Sequence, residues 1–368
     1  MKTRKLGKTG LDVGIVGLGT EYLYKRSRET VVSVVHEAIE RGVNYLDLVF
    51  TFPEYLDHLG AALKGRRDKV ILTGHLGAAE KHGHYRKTRD VQECEGLFSD
   101  MLSRLHTDRI DIVFLQFVDE ERDYERVMGV RGLLELALRL QGEGKAGFIG
   151  LSGHSIPVAL KSVRSGQIDV LMFPINLRSD AVSGEKELFH VCASQRVGLV
   201  AMKPFAGGKL LQKKGARSIT PVQCISYTLS QIGVSTVVPG VKDVDELEAV
   251  LHFLDATNDE KDFSSIITDF QQSLKGECVY CNHCLPCPTV IDIGQTIRLL
   301  ETAQYEFSDE LRADYYALSV KASACTECGS CMERCPFEVD VISKMQQAAQ
   351  LFERSDALAG IGGVSCTL

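Results

Sequence analysis

The sequence predicts an α/β chain: a closed barrel of eight strands and eight helices, followed by a small cysteine-rich module. Two observations carry the barrel. Eight short, apolar, β-branched runs recur along residues 1–270, and an amphipathic stretch follows each of them. Eight such units in about 250 residues is the count of a (β/α)8 TIM barrel. A third observation carries the module: eight of the twelve cysteines lie between 278 and 335.

The strand runs are 13–20, 45–50, 69–76, 110–118, 146–154, 170–176, 198–205 and 235–241. They are nearly continuous in apolar residues, which marks strands buried on both faces of a parallel sheet. The first helix is read in ETVVSVVHEAIERG, with Val32, Val35, Ala38 and Ile39 on one face and Gly42 as its stop. Another is read in VDELEAVLHFLDA, after the eighth run. Residues 1–13 read as a hairpin turning at Lys8, Thr9 and Gly10, placed to plug the N-terminal mouth. An open doubly wound sheet is the alternative, but no G-x-G-x-x-G stands between a strand and a helix. The segment 259–274 reads as helical. So do TIRLLETAQYEF, DELRADYYALSV and VISKMQQAAQLFE, and the Gly-rich end from Ala357 reads as loose. The expected divisions are a barrel at 1–270, a cluster-binding domain at 271–345, and a last helix with its tail at 346–368.

The cysteine module is the most specific signal. CVYCNHCLPCP places Cys278, Cys281, Cys284 and Cys287 at every third position, with Pro288 behind. CTECGSCMERCP places Cys325, Cys328, Cys331 and Cys335 before Pro336. The second run has the bacterial ferredoxin spacing C-x2-C-x2-C-x3-C-P, and the first is one residue shorter before its last cysteine. A cubane cluster needs four soft thiolates around a tight backbone corner. Two runs therefore predict two [4Fe-4S] clusters. With the fourth cysteine crossing over, Cys278, Cys281, Cys284 and Cys335 hold one, and Cys325, Cys328, Cys331 and Cys287 the other. Structural zinc favours ligand pairs separated by a loop. Disulfides favour short secreted chains, and this chain has 368 residues with no apolar core behind its first charges.

The bulk numbers exclude other classes. A net charge of -7 without a basic block argues against nucleic acid and anionic membrane surfaces as partners. No apolar run is long enough to span a bilayer. The expected location is the cytoplasm, where thiolates stay reduced.

MKTRKLGKTGLDVGIVGLGT, GKAGFIGLSGHS, VAMKPFAGGKL and VVPGVKDVDELEAVL resemble the aldo-keto reductases, and the cysteine region resembles the branch with a C-terminal dicluster ferredoxin module. The likeness covers nearly the whole chain. It implies a TIM barrel with a nicotinamide cofactor, NADP(H) or NAD(H), across the C-terminal mouth. The family's proton relay is an Asp, a Tyr, a Lys and a His. Its D-x4-Y-G-x-S-E-x2-L-G stretch aligns on Asp47, with Leu59 and Gly60 fitting its end. Phe52 stands where the Tyr belongs, His75 where the Lys belongs, and Gln116 where the His belongs. For the cofactor, the resemblance implies Asn176 after the sixth strand and Lys203, Pro204, Gly207 and Gly208 after the seventh. It implies Pro239, Gly240, Val241 and Lys242 at the start of the last barrel helix, whose free N–H groups suit a phosphate. The Asn that the family has late in that helix is Val250 here.

Barrel active sites gather at the C-terminal ends of strands. There the sequence places Glu21, Tyr22, Asp47, His75, Gln116, His154, Asn176 and Lys203. Asp47 and His75 end adjacent strands, so their side chains are expected to meet. A carboxylate beside a His favours its protonated form, and a protonated His75 can serve as general acid. Gln116 can hold a substrate oxygen. Tyr22, Tyr55 and Tyr85 are alternative phenols. His82, His84, Arg86, Lys87 and Arg89 form a basic patch, read either as a solvated loop or as a contact for an anion. The function implied is an iron–sulfur oxidoreductase. It would act on a small organic substrate, with one-electron transfer through the clusters to a redox partner protein. A flavin between hydride and clusters is conceivable, though no flavin motif is visible. The rival reading is a barrel without catalysis, serving as an electron-transfer or scaffold subunit.

Overall fold

The computed structural model describes residues 1–81, 84–177, 184–211, 219–264, 266, 276, 278, 283–303, 307–335 and 337–353. The chain divides into two compact units, Met1–Ser273 and Leu274–Leu368.

In the first unit an N-terminal hairpin pairs β1 (Thr3–Lys5) with β2 (Asp12–Gly14). The barrel strands are β3 (Leu18–Gly19), β4 (Tyr45–Leu48), β5 (Ile71–Leu76), β8 (Ile110–Leu115), β9 (Ala146–Ser152), β10 (Val170–Pro174), β11 (Gly198–Met202) and β12 (Val234–Val238). A second hairpin, β6 (Ala78–Lys81) with β7 (His84–Lys87), stands between β5 and β8. The eight barrel strands form one sheet in the order β3-β4-β5-β8-β9-β10-β11-β12, every pair parallel. The sheet closes through Gly17 N–H to the Val237 carbonyl (2.8 Å) and Gly19 N–H to the Pro239 carbonyl (2.9 Å). The fold is the parallel eight-stranded barrel that the alternation of runs implies.

The first run, read as one strand over 13–20, is in fact divided. Its start belongs to the hairpin, only Leu18 and Gly19 pair with β4, and Val16 makes a single bridge to Val237. The hairpin needs those residues to plug the barrel. Leu6 and Val13 pack with Ile112, Val170, Val200 and Tyr45 in a core inside the ring of strands. Gly7 makes that approach possible. Its φ is +53°, and a Cβ there would lie 2.3 Å from the Gly198 nitrogen.

Helices α1 (Arg28–Glu40), α2 (Pro53–Leu63), α3 (Val91–Arg104), α4 (Glu121–Met128), α5 (Leu133–Gly142), α6 (Ile156–Arg164), α7 (Glu185–Ser194), α8 (Pro221–Ser230) and α9 (Val244–Leu251) belong to the same unit. Four of these starts, those of α1, α3, α8 and α9, carry a side-chain cap. Ser27 caps α1 and Asp90 caps α3, while Thr220 and Gln223 make a capping box on α8 ahead of Pro221. On α1 the buried face is Val31, Val34, Val35, Ala38 and Ile39. Val32, read as part of that face, is only partly buried, because the stripe centres one residue away. Of the segment 259–274, Asn258–Lys261 forms a short helix, and residues 267–275 lie outside the described residues.

In the second unit, helices Ile293–Ala303, Asp309–Ala317, Ser330–Glu333 and Val341–Ala348 accompany the cysteine runs, and the last continues as a π turn over Ala349–Glu353. Ile293, Ile297, Leu300, Val341, Met345 and Ala348 are buried. The Tyr315 ring stacks on Phe352 at 4.3 Å, and its hydroxyl donates to Glu353 Oε1. These contacts tie the helices between the cysteine runs to the last helix. The end read as loose, from Ala357, lies outside the described residues. Among the described residues no helix is long and apolar enough to cross a membrane.

Candidate functional site

Parallel pairing sets Asp47 opposite Thr73, and Phe114 opposite His75, at the C-terminal ends of β4, β5 and β8. Strand alternation then turns Asp47, Thr73 and His75 toward one another. His75 Nε2 stands 2.9 Å from Asp47 Oδ1, and Thr73 Oγ1 donates to the same oxygen at 2.7 Å. All three side chains are buried. The His75 ring lies on Phe114 at 5.1 Å between centroids, which fixes its plane. With the Nε2 proton committed to Asp47, the other ring nitrogen is left for a ligand. His75 Nδ1 and Gln116 Oε1 are both buried polar atoms without a hydrogen-bond partner among the described residues. Buried polar atoms are rarely left so outside functional sites.

Phe52 is buried, with its ring stacked on Phe50 at 4.6 Å and tilted against Tyr24 at 4.5 Å. Where the sequence lacks a phenol, the structure has an aromatic wall. Tyr55, considered as an alternative phenol, is fully buried and hydrogen-bonded to Thr20 Oγ1, and burial pushes its hydroxyl well above the ordinary range. It is a structural anchor. The Tyr22 ring covers Gly240, where a Cβ would lie 2.6 Å from it. Tyr85 packs on Phe50.

The basic patch resolves into the β6–β7 hairpin and its exit, and its cations have carboxylate partners. Arg86 pairs with Glu93, Lys87 with Asp123 at 3.2 Å, and Arg89 with Asp123 through both Nε and Nη2. Reading these arginines as a contact for an anionic ligand is therefore corrected: internal carboxylates already neutralise them. His82 lies outside the described residues.

A second buried constellation uses a residue absent from the sequence reading. Asp119, just past β8, takes the backbone N–H groups of His154 and Ser155 on Oδ1. Its Oδ2 is 3.0 Å from His154 Nδ1. Lys203 Nζ lies 3.0 Å from His154 Nε2. Lys203, expected in the cofactor loop, thus turns its amine onto an imidazole, while Asn176 Nδ2 donates to the Lys203 carbonyl at 3.1 Å. The only sequence signal for Asp119 was its place directly after a strand end, beside the strand that ends at His154.

The expected phosphate cradle is also corrected. The α9 N-terminus is occupied by its own carboxylates: Glu246 N–H donates to Asp243 Oδ1, and Lys242 N–H to Glu246 Oε2. Lys242 Nζ stands 3.7 Å from Glu246. These acids disfavour a phosphate at the place where the family resemblance implies one. By contrast, Gly207 and Gly208 hold φ values of +68° and +85°, and a Cβ at Gly208 would meet nothing within 4 Å. Pro239 serves the barrel closure through its carbonyl.

In the second unit Cys287, Cys325, Cys328 and Cys331 line one cavity with apolar walls that include Ile291, Val341 and Met345. Burial pushes the Cys331 thiol up, and the facing sulfurs of Cys287 and Cys325 push the same way. Hydrogen bonds from Ser330 hold the Cys328 thiol down. Among the described residues no three His, Cys, Asp or Glu groups are close enough to hold a single ion. The four thiols therefore surround a common space rather than a common point. Cys278 and Cys284 are buried, Cys335 is half-buried, and Cys281 lies outside the described residues. Two contacts bring the end of the second run to the first: Gly276 N–H donates to the Phe337 carbonyl at 2.6 Å, and Arg334 donates to the Cys284 and Pro286 carbonyls.

Comparison with known proteins agrees with both halves. The pattern of the aldo/keto reductase family matches residues 11–222, and that of the 4Fe-4S dicluster domain matches residues 277–340. The oxidoreductase YqkF of Bacillus subtilis is 26% identical over 239 residues, 63% of this chain and 75% of the relative. L-galactose dehydrogenase of Arabidopsis thaliana is 24% identical over 282 residues, 67% of this chain and 86% of the relative. Among solved structures, the holo form of aldo-keto reductase AKR11C1 from Bacillus halodurans superposes with a TM-score of 0.61 at 22% identity. That match covers 73% of this chain and 96% of that one, and it speaks for the fold.

Proposed function

The chain belongs to the aldo/keto reductase family and carries a 4Fe-4S dicluster domain C-terminal to the barrel in sequence, and from that premise we propose an oxidoreductase whose proton chemistry runs through Asp47 and His75. The observation that carries this reading is the 2.9 Å contact between His75 Nε2 and Asp47 Oδ1, with His75 Nδ1 left unpartnered. Reduction of a carbonyl delivers a proton to oxygen as negative charge develops there. His75 donates that proton from Nδ1, while Asp47 holds the ring through Nε2. In the oxidative direction the neutral ring takes the proton from a hydroxyl through the same atom. Gln116 sets the substrate oxygen in place, and the Phe50–Phe52 wall keeps water from the site.

Two [4Fe-4S] clusters, when bound, would supply one-electron transfer. Cys287, Cys325, Cys328 and Cys331 fit one of them because they share a cavity. Cys278, Cys281, Cys284 and Cys335 are assigned to the other from the sequence pattern. A nicotinamide cofactor, when bound, supplies a hydride. Asn176, Lys203, Gly207 and Gly208 would border its ring end. The capped α9 helix, with Pro239, Gly240 and Lys242, favours NAD(H) over NADP(H). The partners proposed are a small organic substrate and a redox protein that exchanges single electrons with the clusters.

Phe52 in the place of a phenol favours a second reading, in which the barrel has lost catalysis and the clusters serve a partner enzyme. One anaerobic preparation separates the two. Iron and sulfide counting, an EPR spectrum and a titration with NADH and NADPH are made on the same sample. Loaded clusters with nicotinamide binding and reduction of small carbonyl compounds support the first reading. Loaded clusters with neither binding nor turnover support the second.

A further inference from the structure

We propose that Lys203 is an amine nucleophile toward aldehydes and ketones, activated by His154 and oriented through it by Asp119. This goes beyond the oxidoreductase reading and does not depend on hydride or cluster chemistry. The arrangement is that of an activated nucleophile: amine, base and orienting carboxylate in series, each within hydrogen-bond reach. Lys203 Nζ to His154 Nε2 is 3.0 Å, and His154 Nδ1 to Asp119 Oδ2 is 3.0 Å. Asp119 is held as the anion. Burial alone would raise its carboxyl, but the positive charge and hydrogen bonds of His154 prevail, and it sits below the ordinary aspartate range. His154 and Asp119 are buried, and the Phe117 ring closes edge-on over the imidazole at 4.6 Å.

Asp119 fixes the imidazole with its Nδ1 proton inward, so Nε2 faces Lys203 and one proton is shared between them. When that proton rests on His154, Lys203 is a neutral amine beside an imidazolium stabilised by Asp119. The backbone supports the same view. Lys203 and Phe117 hold φ values of +55° and +58°, a conformation that side chains other than glycine adopt at a cost and that clusters at functional sites.

The step balances without a redox partner. The ammonium proton of Lys203 passes to His154, the Nζ lone pair bonds to the carbonyl carbon as the C–O π pair moves to oxygen, and that oxygen takes one proton from the new N–H2+ group to give a neutral carbinolamine. His154 then returns the proton to the departing hydroxyl, which leaves as water, and the product is a protonated imine on Lys203. Charge is conserved, because one ammonium becomes one iminium.

The test is reductive trapping on the full chain, purified anaerobically with its clusters. Acetaldehyde and pyruvate are the probes, cyanoborohydride is the reductant, and peptide mass spectrometry is the readout. The expected result is an adduct on Lys203 that forms about tenfold or more faster than on any exposed lysine. Lys203→Arg, which keeps the cation, should lose it. His154→Gln should slow trapping by about a hundredfold, the usual share of a positioned base. Asp119→Asn gives an independent measure if His154→Gln does not fold, and it should also slow trapping. Folding of each variant is checked by thermal melting and iron content. Modification confined to exposed lysines, or a trapping rate unchanged in a folded His154→Gln or Asp119→Asn variant, overturns the proposal.

Discussion

Arg334 reaches back from the second cysteine run to the first: one of its guanidinium nitrogens donates to the Cys284 carbonyl at 2.7 Å. The same nitrogen meets the Pro286 carbonyl at 2.6 Å. Cys335 is the next residue, and Cys287 lines a cavity with Cys325, Cys328 and Cys331 of the second run. On these contacts we propose that the last cysteine of each run serves the cluster of the other run.

That exchange predicts a pattern of double variants. Cys287→Ser combined with Cys325→Ser removes two ligands of one cluster and should leave about half the iron. Cys287→Ser combined with Cys278→Ser strikes both clusters and should leave almost none. Iron counting with EPR reads the outcome, and the reverse pattern would show uncrossed ligation. Arg334→Ala should speed iron release to a chelator, since it removes charge-assisted bonds worth about 2 kcal/mol.

His75→Ala should lower kcat/KM for carbonyl reduction by roughly a thousandfold, the scale of a lost general acid. Iron content and melting temperature should stay near those of the parent chain. Turnover unchanged by the substitution would reject the role of His75.

The carboxylates on α9 predict the cofactor preference. Titration by fluorescence should show NADH binding at least as tightly as NADPH. Glu246→Gln should shift the ratio toward NADPH by about threefold, because it removes one negative charge beside a helix N-terminus. A parent chain that strongly prefers NADPH would contradict this.

Asp123 grips Arg89 through two bonds, Oδ1 to Nε at 2.8 Å and Oδ2 to Nη2 at 2.6 Å. Burial acts to raise its carboxyl, yet the bonds and charge of Arg89 hold it below the ordinary value, as His154 does for Asp119. A depressed folded-state pKa contributes stability above the unfolded pKa of about 3.9, and that contribution is lost as pH falls through the folded value. Urea melts should therefore change little between about pH 7 and pH 5 and weaken below about pH 4. Asp123→Ala should cost about 3 kcal/mol near neutral pH by leaving Arg89 buried and unpaired. An Asp123→Ala melt that matches the parent would show the pair to be dispensable.

Much of the fold was legible in the sequence because the signals are local. Apolar runs and the helices between them follow from periodicity, and thiol spacing announces clusters before any coordinates. The split of 13–20 was not legible. Both halves are equally apolar, and only the hairpin's docking against Gly198 through Gly7 decides where the barrel strand begins. Asp47 and His75 were paired in advance because strands that follow one another in this alternation are neighbours, so their ends meet.

What the sequence determined by itself, then, is the class of architecture and the cluster-bearing module. Tertiary structure alone decided which charges remain available to a ligand. Arg86, Lys87 and Arg89 looked like an open basic patch until folding brought up Glu93 and Asp123. Lys203, placed by the resemblance at the cofactor, has its amine 3.0 Å from His154 Nε2, with Asp119 from the end of β8 on the other ring nitrogen. The physical reason is that the charge of a residue is a local property, whereas its partner is chosen by three-dimensional proximity across tens of residues of chain.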